Sequence, residues 1–156
     1  MNYLCGMVKI EKELSMDFKD EHQKLILNLL FTSNWIHHMD LERLRPHGLS
    51  PQQYNILRIL RGANGEKMCM GDVLMRMLDK APNATRLTDK LIAKGLVLRE
   101  RCEEDRRVVH LRISPKGLEL VNALDHETEE MIFSVARKLT KAEAHAVNLA
   151  LDKLRE

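Results

Sequence analysis

The chain has 156 residues, of which 44% are hydrophobic and 31% charged, a composition typical of a folded globular protein. No apolar run reaches the roughly 18 residues of a membrane-spanning helix, and the N-terminal region lacks the pattern of a signal peptide. The three cysteines, Cys5, Cys69 and Cys102, are too widely spaced for a disulfide framework or a zinc knuckle. We therefore expect a cytoplasmic protein with no membrane partner.

The basic residues are concentrated in one part of the chain. The formal net charge is only +2, but residues 80–117 hold ten basic and five acidic side chains, so that segment carries +5 and the remainder −3. A basic segment on a mildly acidic chain indicates either a polyanionic partner or a solvated charged surface. Charge alone leaves both interpretations open.

The first predicted element is a long helix over residues 17–44. Its apolar side chains, such as Leu25, Leu29 and Ile36, recur near helical spacing, and Pro46 ends the pattern.

A second helix is predicted to follow Ser50, which can cap it, with Pro51 at its first position. Gln53 completes a Ser-x-x-Gln capping box, and Gly62 is a natural stop. The residues predicted to lie on its buried side are Ile56, Leu57 and Leu60.

Two short helices with a tight break are predicted between residues 71 and 94. Pro82 lies at the entrance of the second helix and Gly95 just past its end, while Leu87 and Leu91 mark its core side. The side chains left to project elsewhere are Asn83, Thr85, Arg86 and Lys90. This arrangement is typical of a helix-turn-helix.

A β-hairpin with a charged tip is predicted over residues 96–114. Val109, Leu111 and Ile113 alternate with their neighbours at a period of two, which indicates a strand. A helix-turn-helix followed directly by a hairpin predicts a winged helix, which we assign to residues 49–114.

Two more helices are predicted after the hairpin. The first follows Ser114 and Pro115 and continues to about residue 138, and the second begins at a capping box formed by Thr140 and Glu143.

The flanking helices carry more apolar surface than a winged helix of this size can cover. We therefore assign residues 1–48 and 115–156 to a helical dimerisation region. The predicted fold class is mainly α with a small β-hairpin wing: a winged helix-turn-helix plus terminal dimerisation helices.

Three segments of the chain carry a recognisable motif order: LSPQQYNILRIL, NATRLTDKLIAKGLVLRER and EEDRRVVHLRISPKGLELV, of which the last, with its Asp-Arg-Arg tip, is the most specific. In order and spacing they resemble the MarR family of bacterial transcription regulators, across about residues 20–155. The resemblance implies a homodimer that binds a palindromic operator in double-stranded DNA, usually as a repressor. It also implies control by a small-molecule effector or an oxidant.

The resemblance places DNA contacts on the second short helix and on the wing. Residues 82–94 correspond to the recognition helix, in which Arg86 occupies the family's Thr-Arg position. Asp105 and Arg107 match the Asp-x-Arg of the wing. A guanidinium suits guanine, a phosphate or a narrow minor groove, and Asp105 can orient Arg107. The candidate DNA-binding residues are Asn83, Thr85, Arg86, Lys90, Asp105, Arg106 and Arg107.

No metal site, cofactor or catalytic centre is predicted. His22, His37, His38 and His110 show no metal-ligand spacing, and adjacent His37 and His38 point to different helix faces. No phosphate-binding loop, nucleophile elbow or carboxylate pair suited to acid–base catalysis is present. We predict a regulator rather than an enzyme; the alternative is a winged-helix protein-interaction module without specific DNA binding.

Two hypotheses concern the control of DNA binding. Cys5 and Cys102 are candidate redox residues, although we favour incidental thiols. Arginines near Cys102 favour its thiolate, and nearby glutamates oppose it. Trp35, Met39 and Tyr54 are candidates for an effector pocket. Four clustered methionines fit such a pocket or, as we favour, ordinary core packing: Met68, Met70, Met75 and Met77.

Overall fold

Seven α-helices and three short β-strands make up the part of the chain described by the computed structural model, residues 9–79, 83–101 and 109–156. The helices are α1 (Ile10–Glu13), α2 (Glu21–Leu44), α3 (Pro51–Gly62), α4 (Met70–Arg76), α5 (Ala84–Ala93), α6 (Pro115–Ala136) and α7 (Lys141–Lys153). The strands are β1 (Met68–Cys69), β2 (Val97–Arg101) and β3 (Val109–Ile113), and a 3-10 helix spans Arg45–His47. The chain divides after Pro51 into two compact units. Along the described residues, every helix falls short of the length and hydropathy that crossing a lipid bilayer requires.

In the first unit, α2 begins later than its apolar pattern predicts. It starts at Glu21 rather than at residue 17, because the Asp20 carboxylate accepts hydrogen bonds of 2.8 Å from the N–H groups of His22 and Gln23. Such a cap satisfies N–H groups that have no partner within the helix. The short helix α1, which was not predicted, is joined to α2 by an ion pair of 2.6 Å between Glu11 and Lys24.

The core of the second unit is apolar, and several elements contribute to it. The α3 residues predicted to be buried, Ile56, Leu57 and Leu60, are all buried. The other large side chains that are fully buried in this unit include Val73, Leu91, Val97, Leu111, Val121 and Leu124. The helices α3 and α6 are also joined by polar contacts, because the Tyr54 hydroxyl lies 3.0 Å from Thr128 Oγ1 and Arg61 pairs with Asp125.

The clustered methionines do not share one environment. Met68 and Met77 are buried, as the core interpretation predicts. Met75 is 70% exposed, so the core interpretation is wrong for this residue. Met75 lies on the outer side of α4, while Val73 of the same short helix faces the interior.

The sheet has three strands rather than the predicted two. Both pairings are antiparallel and the strand order is β1-β3-β2. The added strand, β1, has only two residues, which is too short for an alternating pattern to reveal it. In β3 the predicted alternation is present, since Leu111 and Ile113 are buried and Val109 is half-buried.

The helices after the sheet follow the predicted boundaries closely. Helix α6 starts at the predicted Pro115 and ends at Ala136. The predicted capping box of α7 is confirmed: Glu143 N–H donates to Thr140 Oγ1 at 3.3 Å, and Thr140 N–H donates to Glu143 Oε2 at 2.8 Å.

The end of α5 adopts a left-handed glycine cap. Gly95 has φ 70°, and its N–H donates to the Ile92 carbonyl at 2.8 Å. The N–H of Leu96 donates to the Leu91 carbonyl at 3.0 Å. These two bonds form a Schellman motif, which ends the helix and turns the chain into β2.

The start of α6 lies directly against this turn. Ser114 donates from its N–H to the Leu96 carbonyl at 3.0 Å and from its hydroxyl to the Gly95 carbonyl at 2.7 Å. The same hydroxyl accepts the N–H of Gly117 at 3.0 Å and so caps α6. A β-carbon on Gly117 would lie 2.2 Å from the Leu96 carbonyl oxygen. We call residues 94–96 and 114–117 the α5–α6 joint.

Gly117→Ala is expected to destabilise the protein by about 1–3 kcal/mol or more, because the added methyl group overlaps a backbone carbonyl that cannot rotate away. The matched control is Gly62→Ala at the end of α3, where an added β-carbon meets nothing within 4 Å. The Gly62→Ala variant should be as stable as wild type or more stable by up to about 1 kcal/mol, since alanine has the higher helix propensity. Urea unfolding followed by circular dichroism measures both; equal midpoints for the two variants would contradict the close approach at Gly117.

Candidate nucleic-acid interface

Helix α5 buries one side of its surface through residues at helical spacing. Ala84, Thr88 and Leu91 are all buried, and Thr88 is 0% exposed. A hydroxyl in this position needs a partner, and Thr88 Oγ1 donates to the Ala84 carbonyl at 2.9 Å. The prediction that Leu87 and Leu91 define the core side is right for Leu91, whereas Leu87 is only half-buried and Thr88 takes the central position.

The opposite side of α5 is exposed and basic. Asn83, Thr85, Arg86 and Lys90 are exposed, so the structure places all four predicted residues of this helix at the surface. Arg86 and Lys90 are one helical turn apart and therefore share a face. Within the described part of the chain, neither side chain forms an ion pair or a hydrogen bond.

The N-terminal end of α5 adds to this positive surface. The helix begins at Ala84, after Asn83, whose side chain makes no capping hydrogen bond. The first N–H groups of a helix have no partner within it, and the helix dipole makes that end favourable for an anion. Pro82, the predicted first residue of the helix, lies outside the described residues.

Not every cation of the basic segment is available to a partner. Arg99 on β2 lies 3.0 Å from Asp89 on α5, so the two elements are linked by an ion pair. The residues are ten positions apart on different elements, and sequence spacing gave no signal for the pair. The charge count of the segment therefore overstates how many cations are free.

A second ion-pair cluster lies across the three strands at the base of the wing. Glu100 on β2 pairs with Lys67, which precedes β1, and lies 3.7 Å from Arg112 on β3. The hydrogen bond from Lys67, and then the positive charges of Lys67 and Arg112, lower the pKa of Glu100. We call Lys67, Glu100 and Arg112 the wing-base cluster.

The predicted wing-tip residues lie outside the described part of the chain. They are Asp105, Arg106 and Arg107. The candidate redox residues Cys5 and Cys102 also lie outside the described part. The described part of the wing ends at the pair formed by Arg101 and Val109. The roles of the tip residues therefore stay predictions.

The candidate effector contacts are distributed over both units. Trp35 and Met39 belong to α2 in the first unit, where Trp35 is half-buried and Met39 exposed. Tyr54 belongs to α3 in the second unit, where its side chain is buried and Arg58 lies over its ring at 5.9 Å. Their role in effector binding stays a prediction. Among the described residues, no group of three or more histidine, cysteine, aspartate or glutamate side chains is placed to hold a metal ion.

A family model described as the MarR family matches residues 49–109, a range that includes α3, α4, α5 and β2 and ends at the first residue of β3. The crystal structure of a MarR transcription factor from Planctomyces limnophilus is 32% identical and superposes with a TM-score of 0.67. The superposition covers 87% of this chain and 98% of the Planctomyces limnophilus chain. This chain belongs to the MarR family. The predicted resemblance and the predicted winged-helix fold class are both confirmed.

Two curated MarR-family relatives are regulators by name. The HTH-type transcriptional regulator MhqR of Bacillus subtilis (strain 168) is 33% identical over 100 residues, or 61% of this chain and 66% of MhqR. The homoprotocatechuate degradative operon repressor of Escherichia coli is 28% identical over 97 residues, or 62% of this chain and 64% of the repressor. The chain thus spans just under two thirds of the length of these relatives. Their names agree with the prediction of a regulator rather than an enzyme.

The wing-base cluster is expected to make the free energy of unfolding decrease as the pH falls into the acid range. Because the folded protein lowers the pKa of Glu100 below its ordinary value of 4.5, the cluster stabilises the fold fully above that pH. Its contribution is lost as the pH falls through the lowered pKa. Glu100→Gln should therefore be less stable than wild type at pH 7, and the difference should shrink below about pH 4.5. Urea midpoints across this range measure it, with Glu119→Gln on the exposed side of α6 as the control; a difference independent of pH would refute the assignment.

Proposed function

We propose that this chain is a cytoplasmic transcription regulator that binds operator DNA through α5 and represses transcription by occupying the operator. The observation that carries the proposal is the pair Arg86 and Lys90, which are exposed and, among the described residues, unpaired, on a helix whose other side is buried. An α-helix presented in this way fits the major groove of DNA, where side chains from its first turns contact bases and phosphates. The repressor name of the E. coli relative supports the proposed direction of control.

The two cations on α5 have different proposed roles. Arg86 lies in the first turn, and its planar guanidinium can donate two hydrogen bonds to one guanine. Lys90 lies one turn further along, where a flexible ammonium suits a phosphate group. From sequence alone, Arg107 is assigned to the minor groove and Asp105 to the orientation of that arginine.

The proposed regulator acts as a homodimer on a palindromic operator. Large apolar side chains stay exposed on α2, α6 and α7, and such surface is typical of an interface. The most exposed of them are Ile26, Leu30, Ile132, Phe133 and Leu149, and Leu154 directly after α7 is exposed to a similar extent. Two copies related by a two-fold axis would present two α5 helices to two equivalent half-sites.

Control by a small-molecule effector completes the proposal. Trp35, Met39 and Tyr54 are the candidate contacts, and a ligand that favours one arrangement of the dimer would change the affinity for the operator. The Tyr54 hydroxyl already contacts Thr128, so a contact with an effector would use the ring of Tyr54.

Arg86→Ala is expected to cost about 1–3 kcal/mol of binding to the best operator and less on random DNA, because Arg86 contributes to base choice. Arg107→Ala should weaken binding to all DNA sequences more evenly. It should also lower the slope of log K against log salt by about one unit per subunit. Gel-shift titrations at two salt concentrations measure both effects. The control is Arg137→Ala, an exposed arginine just past α6.

Two outcomes of these titrations would count against the proposal. A wild-type protein without salt-dependent DNA binding would favour the protein-interaction module instead. Equal losses on operator and random DNA for Arg86→Ala would leave DNA binding intact but remove the role of Arg86 in base choice.

Light scattering at micromolar concentration is expected to give twice the chain mass of 18.1 kDa, because the exposed apolar helix surfaces would be covered in a dimer. Footprinting should then show two equivalent contact regions about one helical turn, or ~10 bp, apart. A stable monomer, or a single asymmetric footprint, would exclude the two-fold arrangement.

A further inference from the structure

Three successive carbonyl groups at the end of α5 accept hydrogen bonds from the first residues of α6. The Leu96 carbonyl accepts the Ser114 N–H, and the Gly95 carbonyl accepts the Ser114 hydroxyl. The third, the carbonyl of Lys94, accepts the ammonium of Lys116 at 3.1 Å. The three residues that directly follow the last residue of the proposed recognition helix are therefore each held by a hydrogen bond from outside the helix.

The Lys116 contact differs from the two made by Ser114. Ser114 is buried and also caps α6, so its loss would disturb several elements at once. Lys116 is exposed, and within the described part of the chain its side chain contributes one hydrogen bond, from its ammonium group to the carbonyl at the C-terminal end of α5. A cation at this end of a helix is stabilised by the carbonyl groups that have no partner within the helix and by the helix dipole.

We propose that Lys116 is a positioning residue for DNA binding: from the first turn of α6 it fixes the C-terminal end of α5, and so sets the direction in which Arg86 and Lys90 project. The inference rests on the proposed function, because it assigns α5 to DNA. It adds a residue outside the helix-turn-helix and the wing tip to the set that determines operator affinity. It also makes the first turn of α6 the point at which a change in the dimerisation region reaches α5.

The rival role for Lys116 is a direct contact with a phosphate group, since it is an exposed cation near the basic helix. The two roles predict different salt dependence. A lysine that contacts a phosphate releases counterions, so its loss lowers the slope of log K against log salt by about one unit per subunit. A lysine that only positions α5 leaves the number of phosphate contacts, and therefore the slope, unchanged.

The test compares Lys116→Met with wild type in the full-length protein. Methionine keeps most of the aliphatic stem and removes the charge and the donor. Lys141→Met is the matched control, because Lys141 is an exposed lysine in the first turn of α7. Lys116→Arg restores a donor and a charge, and serves as the rescue variant.

For Lys116→Met we expect operator binding about two- to fivefold weaker, the salt slope unchanged, and amide exchange at residues 94–96 faster by a similar factor. Lys141→Met should match wild type, and Lys116→Arg should recover most of both losses. The exchange measurement needs no DNA.

Three results would overturn the inference: a slope lower by about one unit per subunit, operator affinity equal to that of Lys141→Met, or unchanged exchange at residues 94–96. A wild-type protein that binds no DNA would instead reject the proposed function. In that case the exchange measurement alone would still decide whether Lys116 holds α5.

Discussion

The close approach of Gly117 to the carbonyl of Leu96 is the constraint on which the winged helix depends. A β-carbon at residue 117 would lie 2.2 Å from that carbonyl oxygen, so only glycine lets α6 begin where it does. At the same place α5 ends, β2 begins and β3 ends, and Ser114 donates to two of the carbonyl groups involved. One buried contact therefore fixes the relative positions of the helix and the strands that the proposed function needs.

The electrostatics of the basic segment follow from local pairing rather than from its total charge. Asp89 pairs with Arg99, and Glu100 pairs with Lys67 and lies 3.7 Å from Arg112 across the sheet. These pairs brace the base of the wing and leave Arg86 and Lys90 exposed and unpaired among the described residues. Surface pairs of this kind add little stability each, so their main effect is on which cations can reach a partner.

Local chemistry explains what could be predicted from the sequence. The Ser114 cap, the Thr140 capping box and the Gly95 stop are each determined by a few adjacent residues, and all three are present in the structure. The exposed side of α5 was also predicted, because a helical pattern with few apolar residues leaves most of the surface polar. The order of the helix-turn-helix and the hairpin predicted the winged helix, and the resemblance of three segments to one family added the expectation of a DNA-binding regulator.

Long-range pairing explains what could not be predicted. Strand β1 exists only because Met68 and Cys69 pair with β3, about forty residues later, and two residues carry no period of their own. The burial of Thr88 depends on a hydrogen bond to Ala84 that makes a polar side chain acceptable in the core. The start of α2 was missed because the Asp20 cap overrides an apolar pattern that extends beyond it.

The polar contacts that join α3 to α6, which we call ties, can act as a pivot about which α6 tilts. The tie at Thr128 lies 14 residues from Ser114, or about 21 Å along the axis at a rise of about 1.5 Å per residue. If α6 tilted about that tie by ~5°, its first turn would move by about 2 Å, which is enough to break a hydrogen bond. Two further turns of α6 extend beyond the tie and expose Ile132 and Phe133. A small displacement of these apolar residues would therefore move the first turn of α6, which holds the end of α5 through hydrogen bonds.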